Sequence, residues 1–493
     1  MNTPPDSPIG STVDASHEQD AAAPRSRLRG TLGVIGLLFT VMAFNAPLGT
    51  FVATVPVSIG FGNGAGAPIL FLVGGLVMAL VAVGLIKMNP YMTNSGGFYL
   101  YITAGLGKVV GLGTAFLATV SYFLMVLGAT TFFGYSANAL VTDVFGGPEI
   151  SWWVYAFGVL AVVSFLGYQR INISSRVLTV VLITEMAVIF IYNLVVVVRG
   201  GSSGLNVSDT FDPSIIASGS LGIALLLGVS AMGGFEATLI YREEVRDPKR
   251  TIPRATFLFI LITAVMYCFT SWAMVQAVGT KDAVAVYSED PAGALLGTIQ
   301  SYLGGVSHDI VLVLLANSVL ASVLAAHNVA TRYVFNLGND MLLPRALAEV
   351  HEKHHSPYKA SVAVSVASVL ALLPFIIFKA DASFLFVQLL SSYSYAFLLM
   401  VAITCIAVAA YLLRHKPEGT TLWHRLVAPA LGFVGVAGTL VFATLNLDVL
   451  FGNAGPAVVA ILSLFFGLLL LGMIVAVRLR KTRPDIYALI GRQ

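Results

Sequence analysis

The sequence predicts an all-α membrane protein of twelve transmembrane helices: two inverted five-helix repeats with discontinuous helices 1 and 6, then two C-terminal helices. Three observations predict it. Composition is the first: 57% of the residues are hydrophobic and 10% charged, with a mean hydropathy of +0.88, whereas a soluble domain carries about 25% charged residues. Run length is the second, since a span needs roughly 20 apolar residues and such runs recur along the whole chain. The third is the placement of helix breakers, with Pro47 and Gly49 inside the first run and Gly233-Gly234 inside the sixth.

Residues Met1–Pro24, rich in Pro, Ser, Asp and Ala, read as a disordered tail. The first apolar run starts near Thr31 and is too long for the core of a cleavable signal, so it reads as an uncleaved first span. The spans fall at 31–60, 67–88, 105–140, 151–168, 176–199, 215–241, 254–278, 308–337, 359–378, 384–413, 427–447 and 455–478. They divide the chain into a cytoplasmic tail (1–30), a first repeat (31–199), a second repeat (200–413), helices 11 and 12 (414–478) and a basic cytoplasmic tail (479–493).

Orientation follows from Lys and Arg, which favour the cytoplasmic side. With Arg25, Arg27 and Arg29 inside, so are Lys87, Lys108, Arg170, Arg176, the cluster Arg242–Arg254, Arg332, Arg345, Lys353, Lys359, Arg414, Lys416, Arg425 and the tail Arg478–Arg492. Only Arg199, Lys281 and Lys379 fall outside. A wrong helix count would mix the two sets, so the sorting argues for both termini in the cytoplasm of a plasma membrane (a cell inner membrane). The outer loops carry Asp143, Glu149, Asp209, Asp212, Asp282, Glu289 and Asp290, read as solvated loop residues with a mild attraction for cations. Cys268 and Cys405 lie in apolar runs and read as small hydrophobes rather than a disulfide.

The stretch Leu221–Ala255 organises the rest. An apolar helix meets Gly233-Gly234, then Glu236, then a dense charged segment closed by Pro248 and Pro253. A helix interrupted at membrane depth frees N–H and C=O groups that hydrocarbon cannot satisfy, so the break must line a cavity. The run Ala43-Phe44-Asn45-Ala46-Pro47-Leu48-Gly49-Thr50 places a matching break in span 1. Breaks in corresponding positions of two halves point to a binding site at the midplane of an inverted-repeat carrier. The offset of five spans is odd, so the halves are inverted.

Three ionisable residues sit within spans, where each is costly and asks for a reason. Glu236 follows the break of span 6 and reads as a gating or coupling carboxylate, or as a cap on freed N–H groups. Glu185, in the middle of span 5 with no basic residue nearby in sequence, reads as a proton site, or as a carboxyl hydrogen-bonded between helices. His327 in span 8 reads as a proton shuttle or, more commonly for such a residue, as an interhelical hydrogen-bonder. Ser318 and Ser322 share its helix and suit close packing. Lys87 and Lys108 read as cations that snorkel to the inner interface.

Three segments carry a resemblance. The triplet Gly234-Phe235-Glu236 precedes Glu243-Glu244, Asp247-Pro248-Lys249-Arg250 and Ile252-Pro253-Arg254-Ala255. Later come Ala330-Thr331-Arg332, Gly338, Asp340, Leu343-Pro344, Ala348-Glu349-Val350-His351, Pro357 and Ala360. Before span 3 stands Gly96-Gly97-Phe98-Tyr99-Leu100-Tyr101. Together, in this order, they resemble the amino acid–polyamine–organocation superfamily from about span 1 to span 10. The resemblance implies uptake or exchange of amino acids or related amines by alternating access. It also implies that a substrate carboxylate meets freed amides of the broken span 1, within Ala46, Pro47, Leu48, Gly49 and Thr50, and that its ammonium meets carbonyls of that same break and of Met232, Gly233, Gly234 and Phe235. Two departures matter. Span 1 has Ala-Pro-Leu-Gly in place of a Gly-Ser-Gly run, and Ser230 stands where relatives often carry an aromatic gate, which implies a roomier pocket. Glu185 falls where some proton-coupled relatives carry a lysine thought to replace a bound sodium ion.

The expected function is therefore secondary active transport of amino acids, coupled to protons. An organic-amine or polyamine carrier of the same fold is the alternative. The pattern Ala-x-His-x-x-x-x-Arg in span 8 resembles putrescine-importer-like members. A membrane nutrient sensor is disfavoured by the short tails, and an enzyme by the lack of a catalytic set or a His-Glu-x-x-His motif. No phosphate-binding loop is visible. No cofactor, metal or nucleic-acid partner is expected; the partners are a small substrate, protons and the bilayer.

Overall fold

The computed structural model describes residues 32–92, 97–169, 175–241, 245–354, 356–451 and 455–491. Gly96, Arg170, Ser174, Arg242, Glu243, Glu244, Arg492 and the tail 1–30 with Arg25, Arg27 and Arg29 lie outside the described residues, as does the side chain of Arg176.

Among the described residues the chain is all helical, apart from one isolated bridge between Leu32 and Val245. Ten helices are long and apolar enough to cross a membrane, and two shorter apolar ones cover Trp152–Tyr168 and Leu221–Ser230. The first half contains α1 (Val34–Asn45), α2 (Pro47–Ala53), α3 (Ala67–Met88), α4 (Phe98–Leu106), α5 (Lys108–Ala139), α6 (Trp152–Gln169) and α7 (Ser175–Arg199). The second contains α8 (Leu221–Ser230), α9 (Ala237–Ile240), α10 (Pro248–Val278), α11 (Ala283–Glu289), α12 (Pro291–Leu303), α13 (Gly305–Asn339), α14 (Tyr358–Ile377) and α15 (Ala382–His415). Then follow α16 (Ala428–Thr444), α17 (Gly455–Thr482) and α18 (Pro484–Leu489).

Two expectations change, and span 3 keeps its place. Expected at 105–140, it is the single helix α5, and Gly107, at φ +89°, a conformation a glycine adopts without steric cost, parts it from the separate short helix α4 before it. The span-7 helix begins at Pro248 rather than 254, since proline is tolerated in a first helical turn, where its missing N–H has no partner to lose. The segment before span 8, expected as an outer loop, folds into α11 and α12. Asp290 caps α12 by accepting from the Gly293 amide at 3.1 Å, and it accepts from the Tyr135 hydroxyl at 3.0 Å. Among the acids read as plain loop residues, Asp212 likewise caps a short turn, and Ser214 holds its carboxyl below the usual range.

Helix α5 is the hub. It packs on α13, α15 and α17, and its 32 residues span roughly 48 Å at 1.5 Å per residue, more than a bilayer core. The most apolar window of α5 is 61% buried, whereas that of α17 is 11% buried, so α17 lies at the periphery. Small residues let helices meet backbone to backbone. A Cβ on Gly74 of α3 would lie 2.3 Å from the Gly228 carbonyl oxygen of α8, and one on Gly228 2.8 Å from that of Leu70. Without a hydrophobic drive between helices in lipid, such close van der Waals approach is a main source of association. Cys268 and Cys405 are free thiols.

Candidate functional site

Both expected breaks are present, and each follows from its sequence. Pro47 disfavours the right-handed helical region for the residue before it, and Ala46 takes φ +48°, ψ 73°. A non-glycine residue in that region costs about 1–2 kcal/mol. Helix α1 therefore ends at Asn45, and α2 restarts with the Thr50 amide bonded to the Ala46 carbonyl at 3.1 Å. The second break runs from Ala231 to Glu236, between α8 and α9. Gly234 carries φ +99°. The turn is overwound, with three-residue steps from Gly233 to Ser230 (2.8 Å) and from Ala237 to Gly234 (2.9 Å).

One side chain ties the breaks together. The Asn45 amide nitrogen donates to the carbonyl oxygens of Ala231 (3.3 Å) and Gly233 (2.8 Å). Its amide oxygen accepts from the Tyr267 hydroxyl of α10 at 2.9 Å, and its backbone carbonyl accepts from the Thr50 hydroxyl at 3.2 Å. Asn45 thus satisfies carbonyls that the overwound turn leaves free. Sequence reasoning missed this role for Asn45 and Tyr267. The signal was present in part: a short amide side chain immediately before a break is suited to capping freed backbone groups.

On the other side of the first break lie two long contacts. The Leu48 amide points at the Glu185 carboxylate of α7 (3.4 Å), and the Gly49 amide at the Ser318 hydroxyl of α13 (3.3 Å). Glu185 also faces Ser318, and it is 3% exposed. Ala46, Pro47, Leu182, Glu185, Asn317 and Ser318 line a cavity of about 20 Å³. That is room for about one water. Among the described residues, no cationic side chain lines it.

The remaining candidates separate into groups. Glu236 is half-buried and turns back to accept from the Gly234 amide at 2.9 Å. Around it stand Tyr122, Tyr333 and Tyr393, all within reach of its field. Tyr122 stacks on Tyr333 with centroids 5.4 Å apart and approaches Tyr393 at 6.2 Å. These three tyrosines come from α5, α13 and α15, and no local sequence signal joins them. Ser230 donates to Ser394 of α15 at 3.0 Å. Met232 and Phe235 are fully buried, and Phe397 packs against Gly233. His327 is not at either break. It lies nine residues beyond Ser318, roughly 13 Å along the helix axis. There its ring bonds Ser365 of α14 at 2.8 Å, and Ser365 in turn contacts Ser164 of α6.

The comparisons agree with this architecture. A family profile described as "Amino acid permease" matches residues 32–470. The human large neutral amino acids transporter small subunit 2 is 24% identical over 380 residues, covering 75% of this chain and 69% of that one. The branched-chain amino acid permease BcaP of Bacillus subtilis is 24% identical over 370 residues (71% and 77% covered). The low-affinity putrescine importer PlaP of Escherichia coli is 23% identical over 372 residues (72% and 77%). A multi-pass helical bundle, interrupted twice and matched by that profile along most of its length, belongs to the amino acid permease family.

Proposed function

We propose that the protein is a secondary active transporter that moves amino acids across the plasma membrane by alternating access, coupled to protons. The observation that carries this reading is the meeting of the two breaks through Asn45. The amides after Ala46 form the anion-attracting start of a half-helix, and the carbonyls of Ala231 and Gly233 form the cation-attracting end of another. A zwitterion spanning Ala46–Thr50 and Ser230, Met232, Gly233, Gly234 and Phe235 finds a partner for each pole. A cavity with room for about one water holds no amino acid, so the substrate must part the helices to enter.

Glu185 supplies the coupling. An ionised carboxylate is a stronger acceptor than a neutral one, so a proton on Glu185 loosens its hold on the Leu48 amide and frees α2 to move against α7. Glu236 serves as the gating carboxylate under the second break, and His327 as an interhelical hydrogen-bonder within the second repeat. The bundle is read as twelve spans with both termini cytoplasmic, built from repeats 31–199 and 200–413 plus helices in 414–478.

A second reading, an organic-amine carrier, is favoured by the cavity lining: it holds a carboxyl, an amide and a hydroxyl, and no cation. A thermal-shift screen of the purified protein against amino acids and amines, followed by uptake into proteoliposomes, separates the two. A ligand specific for the native state raises the apparent melting temperature. Stabilisation by amino acids bearing both charged groups supports the first reading, and stabilisation by amines alone supports the second. A protein stabilised by neither class and inert in uptake overturns both.

A further inference from the structure

The segment after α17 does not hang free. Ile490 is fully buried in a small cluster of its own with Leu100, Leu112, Ala115, Leu337 and Ala476. The Lys108 ammonium, at the first residue of α5, donates to the carbonyls of Tyr487 (3.1 Å) and Ala488 (2.6 Å) and lies 5.6 Å from the Tyr487 ring centre. Those carbonyls stand at the C-terminal end of α18, where a cation is best placed. Gly491 takes φ +73°, and a Cβ there would come within 2.5 Å of Thr103. The Gly491 amide faces the Tyr99 hydroxyl, which donates to Asp340 at the end of α13 (3.2 Å).

The segment therefore fastens three things at one face of the bundle: the short helix α4, the start of α5 and the end of α13. Two of these elements reach toward the second break: Phe98 of α4 packs on Phe397, which lies beside Gly233. Tyr333 of α13 packs against both the small cluster and the main core, and it stacks on Tyr122 beside Glu236.

We propose that residues 484–491 form a strap that holds the bundle shut on this face and sets how often the breaks open to it. Opening requires α4 and α5 to part from the end of α13, and the strap spans that seam. Releasing the strap speeds opening without touching the polar groups of either break. This rests on reading the breaks as the transport site.

The test reads access directly and needs no substrate. In full-length protein with Cys268→Ser and Cys405→Ser, reconstituted in vesicles, Asn317→Cys places a thiol at the cavity. A membrane-impermeant maleimide is applied from the face that carries α18. Ile490→Asp should raise the labelling rate about fivefold or more, the lower range of a coupling between distant sites. Ile490→Val should stay at the parent rate. Lys108→Met, which removes the clamp on the two carbonyls, should speed labelling in the same direction and decides the matter where Ile490→Asp fails to fold. A parent-like labelling rate in the releasing variants would overturn the strap while leaving the transport site intact. A thiol that labels from neither face in any variant overturns the transport-site reading and the strap with it.

Discussion

The two breaks solve one problem in opposite ways. The first is enforced by a proline and a strained alanine, and its freed amides reach out to α7 and α13 through Glu185 and Ser318. The second rests on glycines and on a short-range bond, as Glu236 accepts from an amide two residues back, while Asn45 of α1 meets its carbonyls. The first break thus records the position of α7 and α13, while the second is held by its own carboxylate and by the first break. Under the proposed coupling, a proton at Glu185 would act between helices and one at Glu236 within a turn.

The largest effect is expected from Gly234→Leu. Leucine is strained at φ +99° by about 1–3 kcal/mol, and its side chain adds bulk beside the proposed site. Substrate binding measured by scintillation proximity should be lost; an unchanged affinity shows that the second break is not where the substrate sits. Next comes Glu185→Gln. Uphill accumulation should fall by about tenfold or more, the scale of a lost charge-assisted hydrogen bond, while counterflow exchange is less affected. Accumulation and pH dependence like the parent's would remove Glu185 from the coupling step and with it the contrast between the breaks.

Asn45→Ala tests the link itself. It takes the side-chain donor from two carbonyls, and buried unpaired groups cost about 1–3 kcal/mol each. The detergent-solubilised protein should melt at a lower temperature; a variant as stable as the parent would mean that the breaks are not held to each other there. Glu236→Gln should slow turnover while keeping the accumulation ratio, because the amide oxygen still accepts from Gly234. Loss of the ratio instead would place coupling at the second break. His327→Gln should be mildest, with unchanged substrate affinity and a modest loss of stability of about 1 kcal/mol; an affinity change would bring α13 below Ser318 into the site.

Much of this was legible in residue types. Pro47 and the glycine pair announced the breaks because their backbone consequences are local. The long apolar runs announced the helices for the same reason. What stayed hidden is tertiary. Asn45 precedes a break by one position, yet its partners lie 186 and 188 residues away. The tyrosines around Glu236 come from three helices, and each alone reads as ordinary packing. Helices α11 and α12 are too short to cross a bilayer and so read as loop; their order comes from the Asp290 cap and its contact with Tyr135. The segment 484–491 reads as a charged tail because its anchor, Lys108, is 379 residues upstream.

Where α3 meets α8 at Gly74 and Gly228, the two backbones lie almost carbonyl to Cα, with no side chain of either residue to act as a cushion. Two rods joined that way have no gap to lose and no rotamer to yield, so a swing of either drags its neighbour. The piece of the interrupted helix ahead of Gly233 thereby inherits a stiff splint, and the hinge is left to the few residues between that splint and Glu236. Adding even one methyl at Gly228 would wedge the splint off and turn a crisp hinge into a slack one.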